Sequence, residues 1–220
     1  MLRKKLGVIY RNAVPEKIQP RLDCMRAIPS WRKASVIFIH VPKVAGVSIS
    51  TSLYGKTLGH IMASDIQKYY PGEFSELFKF AFIRDPYERF LSAVKYVDCN
   101  YQRLAGSPGL PNEKRLFSCP SLLMNEWLKY QDLEKVNNVF RPQSKYILGS
   151  DGEILVDYLG DYSRMEEGMA VVAQRLGHPI KLEKLNSSGP LSRKKDEHLI
   201  EDVLKVYRND CELMAQFRGT

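Results

Sequence analysis

Residues Val36 to Ser50 read VIFIHVPKVAGVSIS. Val36–Val41 is a continuous apolar run, as in a strand covered on both faces. A loop with a single lysine follows, and from about Val47 a helix is expected, with Ile49 and Leu53 on one side. Where a strand turns into a helix, free backbone N–H groups and the positive end of the helix dipole point at one spot. The stretch Pro42-Lys43-Val44-Ala45-Gly46-Val47-Ser48 therefore suits an anion. Lys43 supplies a mobile charge, Ala45 and Gly46 let the backbone come close, and Ser48 offers a hydroxyl donor. An ATP-hydrolysing loop would read G-x-x-x-x-G-K-[ST]; here the lysine comes first and no Gly-Lys-Ser/Thr follows. Taken alone, the same residues fit a plain surface turn equally well.

A second junction lies downstream. Phe78–Ile83 (FKFAFI) reads as a strand and runs into RDPYERFLSAVKYV. Asp85 is a good N-cap, Pro86 fits the first helical position, and Glu88 completes a capping-box-like start. Tyr87, Leu91 and Val94 recur at helical spacing. Arg84 ends the strand, where its guanidinium can fork onto a phosphate, and Ser92 lies two turns into the helix. The competing assignment pairs Arg84 with Asp85 or Glu88.

Outward from these junctions, residues 1–34 read as an irregular basic arm and 35–220 as a single domain. A helix is expected over Met62–Tyr70, ended by Pro71 and Gly72, and a loop over Ser107–Lys114. Ser121–Gln131 reads as helix, and Lys145–Leu148 and Glu153–Tyr158 read as short strands about a Gly-Ser-Asp-Gly turn. A capping-box pattern at Ser163–Glu166 opens a helix that stops near Gly177. One long helix is expected from about Ser192 to Phe217, with Leu199, Val203, Tyr207, Cys211 and Met214 on one face. Alternating strands and helices imply an α/β fold with a mainly parallel central sheet flanked by helices, and ligands at the C-terminal ends of the strands.

The net charge of +8 favours anionic partners without choosing among them. Cys24, Cys99, Cys119 and Cys211 have no CxxC spacing, so no zinc site or disulfide framework is expected, and no other metal-ligand spacing occurs. The chain lacks the roughly 20 apolar residues of a membrane span, and its N-terminus lacks a signal-peptide core. A cytoplasmic protein is expected.

PKVAGVSI followed by FAFIRDPYERFLSAVKY resembles the two cofactor motifs of sulfotransferases that use 3′-phosphoadenosine 5′-phosphosulfate (PAPS). The resemblance is to the carbohydrate branch, with its heparan 2-O- and chondroitin sulfotransferases and bacterial relatives, whose motifs are PKTGGTS-like and RDPxxRxxSxY-like. Weaker echoes follow at Phe140–Gln143, Val156–Gly160 and Leu185–Ser188. The resemblance implies a P-loop-like three-layer domain. It implies that Lys43 and the loop amides of Val44, Ala45, Gly46, Val47 and Ser48 hold the 5′-phosphosulfate, and that Arg84 and Ser92 bind the 3′-phosphate. Val44 and Val47 stand where threonines are common, Ala45 where glycine is frequent, and Gly160–Arg164 lacks the Arg and Glu of a GRYEN-like segment.

The implied reaction moves the sulfuryl group from PAPS to a hydroxyl, most readily on a carbohydrate, by in-line attack. As in phosphoryl transfer, positioning and electrostatics do most of the catalysis. Lys43 would stabilise charge on the leaving oxygen. A hydroxyl acceptor needs a base, and imidazole is matched to neutral pH. His60, between the two motifs where the family often places a histidine, is the choice. His40, at the strand end, reads equally well as a sulfate contact and as a structural histidine, and Asp65, Glu73 and Glu76 are reserve bases or solvated carboxylates. His178 and His198 read as incidental. Trp31 and Trp127 read as packing before sugar stacking, and the basic residues of 103–115 and 193–195 as solvated before glycan-binding. Asn186 opens a glycosylation sequon that is discounted without a secretion signal. No nucleic-acid partner is expected. The rival readings are a P-loop phosphotransferase, which needs magnesium ligands, and a non-catalytic module binding a nucleotide or an acidic polymer.

Overall fold

The computed structural model describes residues 15, 17–182 and 196–218. The first helix among the described residues, α1 (Gln19–Ala34), corrects the expectation of an irregular segment there. Cys24, Ala27 and Trp31 fall on one face and are buried, which stabilises a helix despite Pro20 in its first turn and Pro29 inside it. Ser35 ends it in the left-handed region, and β1 (Val36–Ile39) begins at once, all four residues buried.

From β1 the chain enters α2 (Gly46–Tyr54), α3 (Ala63–Tyr69) and the short α4 (Pro71–Glu76). Pro71 thus does more than end α3; it starts the next turn, a position suited to its fixed φ. Strand β2 (Phe78–Ile83) has the expected bounds. Helix α5 (Pro86–Cys99) follows, with Pro86 in its first turn and the Asp85 carboxylate accepting from the Glu88 amide at 3.0 Å. After α6 (Tyr101–Leu104) come a loop, a 3₁₀ turn at Lys114–Phe117, α7 (Pro120–Glu126) and a 3₁₀ turn at Leu128–Tyr130.

Two strand expectations are corrected next. Ser144–Ile147 is a helical turn, α8, whose Ser144 amide is capped by the distant Asp210 carboxylate at 2.9 Å. The predicted partner run makes only an isolated bridge, Leu148 to Ile154. The true strand, β3, is Tyr158–Asp161. It contains Gly160 because a Cβ there would come 2.4 Å from the Phe82 ring. A 3₁₀ turn, Tyr162–Arg164, precedes α9 (Met165–Leu176), which ends at Gly177 in the left-handed region. Ser163 does not cap α9; its amide and hydroxyl both donate to Asp161.

The expected long C-terminal helix is two: α10 (Glu197–Val206), capped by Asp196, and α11 (Arg208–Arg218). Leu199, Val203 and Tyr207 belong to one apolar cluster and Leu213 and Met214 to another, so a straight helix could not serve both. The expected helix start at Ser192, the Leu185–Ser188 echo, Asn186 and the basic residues 193–195 lie outside the described residues, as do the first 14 residues of the basic arm.

The strands form a three-stranded parallel sheet in the order β1-β2-β3. Val36 pairs with Phe78 and Ile83 with Asp161. The result is a mixed α/β domain with a small parallel sheet flanked by helices. One apolar cluster surrounds the sheet, and the other lies among α5, α7 and α10. All three strands run the same way, so Lys43, Arg84 and Tyr162 leave their C-terminal ends together.

Candidate active site

The β1–α2 loop bends sharply. Lys43 and Ala45 both have positive φ, 73° and 59°, a conformation non-glycine residues seldom adopt and one that marks functional loops. Successive turns of this kind aim backbone N–H groups into an anion-binding concavity, here at the start of a nine-residue helix. Val44 is wholly buried in the sheet cluster, whereas Val47 is exposed and Ser48 buried.

Gly46 is fixed by a contact the loop reading missed. A Cβ there would lie 1.8 Å from His40 Cδ2. The glycine thus makes room for a ring, in addition to any backbone approach. His40 is only 7 % exposed. Burial, with His60 beside it, holds its imidazole well below the usual range, so it is a neutral ring. It stacks on Phe38 on one side and meets His60 on the other, with centroids 4.2 Å apart.

His60 Nδ1 lies 2.8 Å from the His40 carbonyl oxygen. A carbonyl only accepts, so Nδ1 carries the proton, and in the neutral ring Nε2 carries the lone pair. That tautomer is the one a general base needs. The half-buried ring is also held edge-on by Tyr146.

Lys43 lies over the Tyr96 ring of α5, its Nζ 4.2 Å from the centroid. Burial, and then the neighbouring positive charge of Arg84, lowers its pKa to about 8. Among the described residues no carboxylate pairs with it. Two cations thus lie at adjacent strand ends, one of them without a carboxylate partner among the described residues, an arrangement able to accept a multiply charged anion.

Arg84 makes the pair foreseen as the competing assignment: its Nε lies 3.4 Å from the Glu88 carboxylate. Its guanidinium also lies over the Tyr162 ring, 4.6 Å from the centroid. The long ion-pair distance and the partly exposed Glu88 leave that contact weak and exchangeable. A groove lined by Arg84, Asp85, Tyr87, Glu88, Asp161, Ser163 and Arg218 opens beside it, with a volume of about 230 Å³. Ser92, eight residues after Arg84 and within α5, is buried.

Several contributors were missed in the sequence. Tyr96 supports Lys43, and Arg103 donates to its hydroxyl at 2.9 Å; the tyrosine of the RDPxxRxxSxY pattern falls instead on the buried Val94. Arg89, the pattern's second arginine, is fully buried and paired with Asp210 at 3.4 Å. Gln143 holds the main chain of Arg84 on both sides. The Phe140–Gln143 echo contains Gln143 and the second arginine of the motif is Arg89, whereas nothing local signalled Tyr96.

The other candidates are not gathered here. Glu73 pairs with Arg32, just before the starts of β2 and β1 and therefore at the opposite end of the sheet. Asp65 is partly buried, which raises its pKa, and it neighbours Asp23 and Lys68 in effect. Trp31 lies in the core, and Trp127 packs edge-on against Phe140. His178 and His198 are exposed, and Arg115 is paired with Glu113 and Glu126.

The model of a sulfotransferase family matches residues 32–215, most of the chain. The chain belongs to the sulfotransferase family. As a sulfotransferase it is an enzyme that transfers sulfate to an acceptor, and both strand-to-helix junctions lie inside the matched region. Neither the curated proteins nor the solved structures include one that matches it.

Proposed function

We propose that this sulfotransferase takes its sulfuryl group from PAPS and passes it to a hydroxyl, with a carbohydrate as the acceptor class. The observation that carries the reading is the proximity of Lys43, lacking a carboxylate partner among the described residues, and Arg84 at neighbouring strand ends, beside a loop in which Lys43 and Ala45 have positive φ. A donor with phosphate groups at both its 5′ and 3′ positions fits two such cations better than one fits a single phosphate. The junction geometry is in keeping with a P-loop-like, three-layer arrangement around the sheet. The four cysteines are free, in keeping with a reducing, cytoplasmic setting.

When bound, PAPS supplies the activated sulfuryl group. Lys43 and the amides from Val44 to Ser48 hold the 5′ end, and Lys43 offsets negative charge on the oxygen that leaves. Arg84 and Ser92 take the 3′-phosphate, with Glu88 released from Arg84 as the phosphate arrives. His60 receives the hydroxyl proton at Nε2, and the His40 carbonyl keeps Nδ1 protonated and the ring in place.

Calorimetric titration with adenosine 3′,5′-bisphosphate, against AMP, ADP and magnesium-ATP, tests the donor. Binding that needs the 3′-phosphate and weakens in Arg84→Ala is the expected result; preference for magnesium-ATP would overturn it. With PAPS and an acceptor screen, His60→Ala should keep the bisphosphate affinity and lose roughly 10²- to 10⁴-fold in turnover. Unchanged turnover would remove His60 as base.

A further inference from the structure

Strand β2 ends at Ile83, whose partner on β3 is Asp161. Arg84, the next residue, has left the ladder, yet its main chain is not left to water. Its N–H donates to Gln143 Oε1 at 3.0 Å, and its carbonyl accepts from Gln143 Nε2 at 2.8 Å. One side-chain amide thus satisfies both backbone groups, as a neighbouring strand would.

Gln143 is itself anchored. It is completely buried, and its own N–H donates to Asp210 Oδ2 at 3.0 Å, while the Ser144 N–H donates to Oδ1 at 2.9 Å. Asp210 in turn meets Arg89, both with fully buried side chains. Residues from α5, the segment before α8, and α11 therefore converge on one carboxylate, and the chain of bonds ends on the backbone of Arg84. An apolar side chain of similar size would fill the same space. What the amide adds is a fixed position for the residue that precedes α5.

We propose that Gln143 is a positioning residue that fixes Arg84 for contact with the 3′-phosphate of the donor nucleotide, and so sets discrimination between 3′-phosphorylated and plain adenosine nucleotides. The inference rests on the donor reading above. Arginine recognition of phosphate needs a planar fork in register with two oxygens. A shift of about 1 Å at such a site is enough to lose much of its effect. Removing the amide leaves the Arg84 N–H and carbonyl to find other partners and frees the fork to follow Glu88 and Tyr162 instead.

The test compares calorimetric affinities for adenosine 3′,5′-bisphosphate and AMP in wild type, Gln143→Met, Arg84→Ala and the double variant, each first shown to be folded by its urea unfolding transition. Wild type should favour the bisphosphate by about a hundredfold, as two charge-assisted hydrogen bonds provide. Gln143→Met should cut that ratio about tenfold and leave AMP affinity within about twofold. In the Arg84→Ala background the same change should leave the ratio where it is. A ratio unaltered by Gln143→Met, or lowered equally in both backgrounds, overturns the positioning role, since a general loss of stability would weaken both nucleotides alike. If Gln143→Met fails to fold, Gln143→Glu decides by the same ratio, because it keeps an acceptor for the Arg84 N–H and loses the donor to its carbonyl. A wild type with no preference for the bisphosphate overturns the donor reading itself.

Discussion

Gly46→Ala places a single methyl group against the ring that organises the site. Within a helix the change would ordinarily be neutral or favourable by up to about 1 kcal/mol, because alanine loses less backbone freedom. Here the added Cβ would lie 1.8 Å from His40 Cδ2, 2.1 Å from Nε2 and 2.7 Å from Cγ. Carbon atoms at rest sit about 3.5–4.0 Å apart, so the ring would have to retreat by roughly 1.5–2 Å. Its neighbours oppose that retreat: the Phe38 and His60 ring centroids lie 5.8 and 4.2 Å from its own. Overpacking of this kind costs about 1–3 kcal/mol, and the displaced His40 carries the carbonyl that orients His60. Urea unfolding should show that loss, and sulfuryl-transfer rates should fall by about ten- to a hundredfold. The decisive arm is the double variant with His40→Ala. With the ring gone, Gly46→Ala should become neutral or stabilising, a reversal of sign measured as a double-mutant coupling. Equal cost in both backgrounds, or unchanged stability and rate in the single variant, would refute the steric reasoning.

Two further outcomes follow from buried charge. Lys43 has its pKa lowered to about 8, so the free enzyme carries the ammonium at pH 7 and the neutral amine at pH 10. An anion binds the ammonium form, so calorimetric affinity for adenosine 3′,5′-bisphosphate should be flat between about pH 7 and 8, above the second ionisation of its phosphates at about pH 6, and fall about tenfold per pH unit at higher pH. Lys43→Arg should abolish the fall, and a flat wild-type profile would contradict the burial argument. Asp210→Ala strips Arg89, Gln143 and Ser144 of their shared acceptor. It should cost about 3–5 kcal/mol, read as a drop of roughly 6–20 °C in calorimetric Tm. A loss below about 1 kcal/mol would mean the pair is no more than a surface contact.

The two junctions were legible because their signals are local. Val36–Ile39 is an unbroken apolar run, Phe78–Ile83 is apolar but for Lys79, and Asp85, Pro86 and Glu88 set the start of α5 through residues three apart. The misread elements depend on partners far along the chain. Tyr-Ile-Leu at 146–148 has the composition of a strand, but its first turn is capped from residue 210. β3 includes a glycine that reads as a break until Phe82 is seen against it. The step between α10 and α11 follows from which cluster each helix covers, which no periodicity within the helix reveals. At the site, Lys43, His60 and Arg84 stood out by type and setting. Gln143, Tyr96 and Arg89 did not, because a buried amide or a supporting ring has no chemistry of its own to advertise.

The convergence on Asp210 also bears on how the chain assembles as it is made. Arg89, Gln143 and Ser144 are all synthesised before the carboxylate they share, and the largest of these separations spans 121 residues. Until residue 210 is available, Arg89 is a charge without its counter-ion beside an apolar cluster, and Arg84 is tethered to an amide that is itself unanchored. Helical turns and the β1–β2 pairing can form during elongation, but the donor site cannot settle until α11 docks. A nascent chain stalled before residue 210 would thus expose an unfinished cluster to chaperones and to aggregation, and the competence to bind nucleotide would arise in one late step.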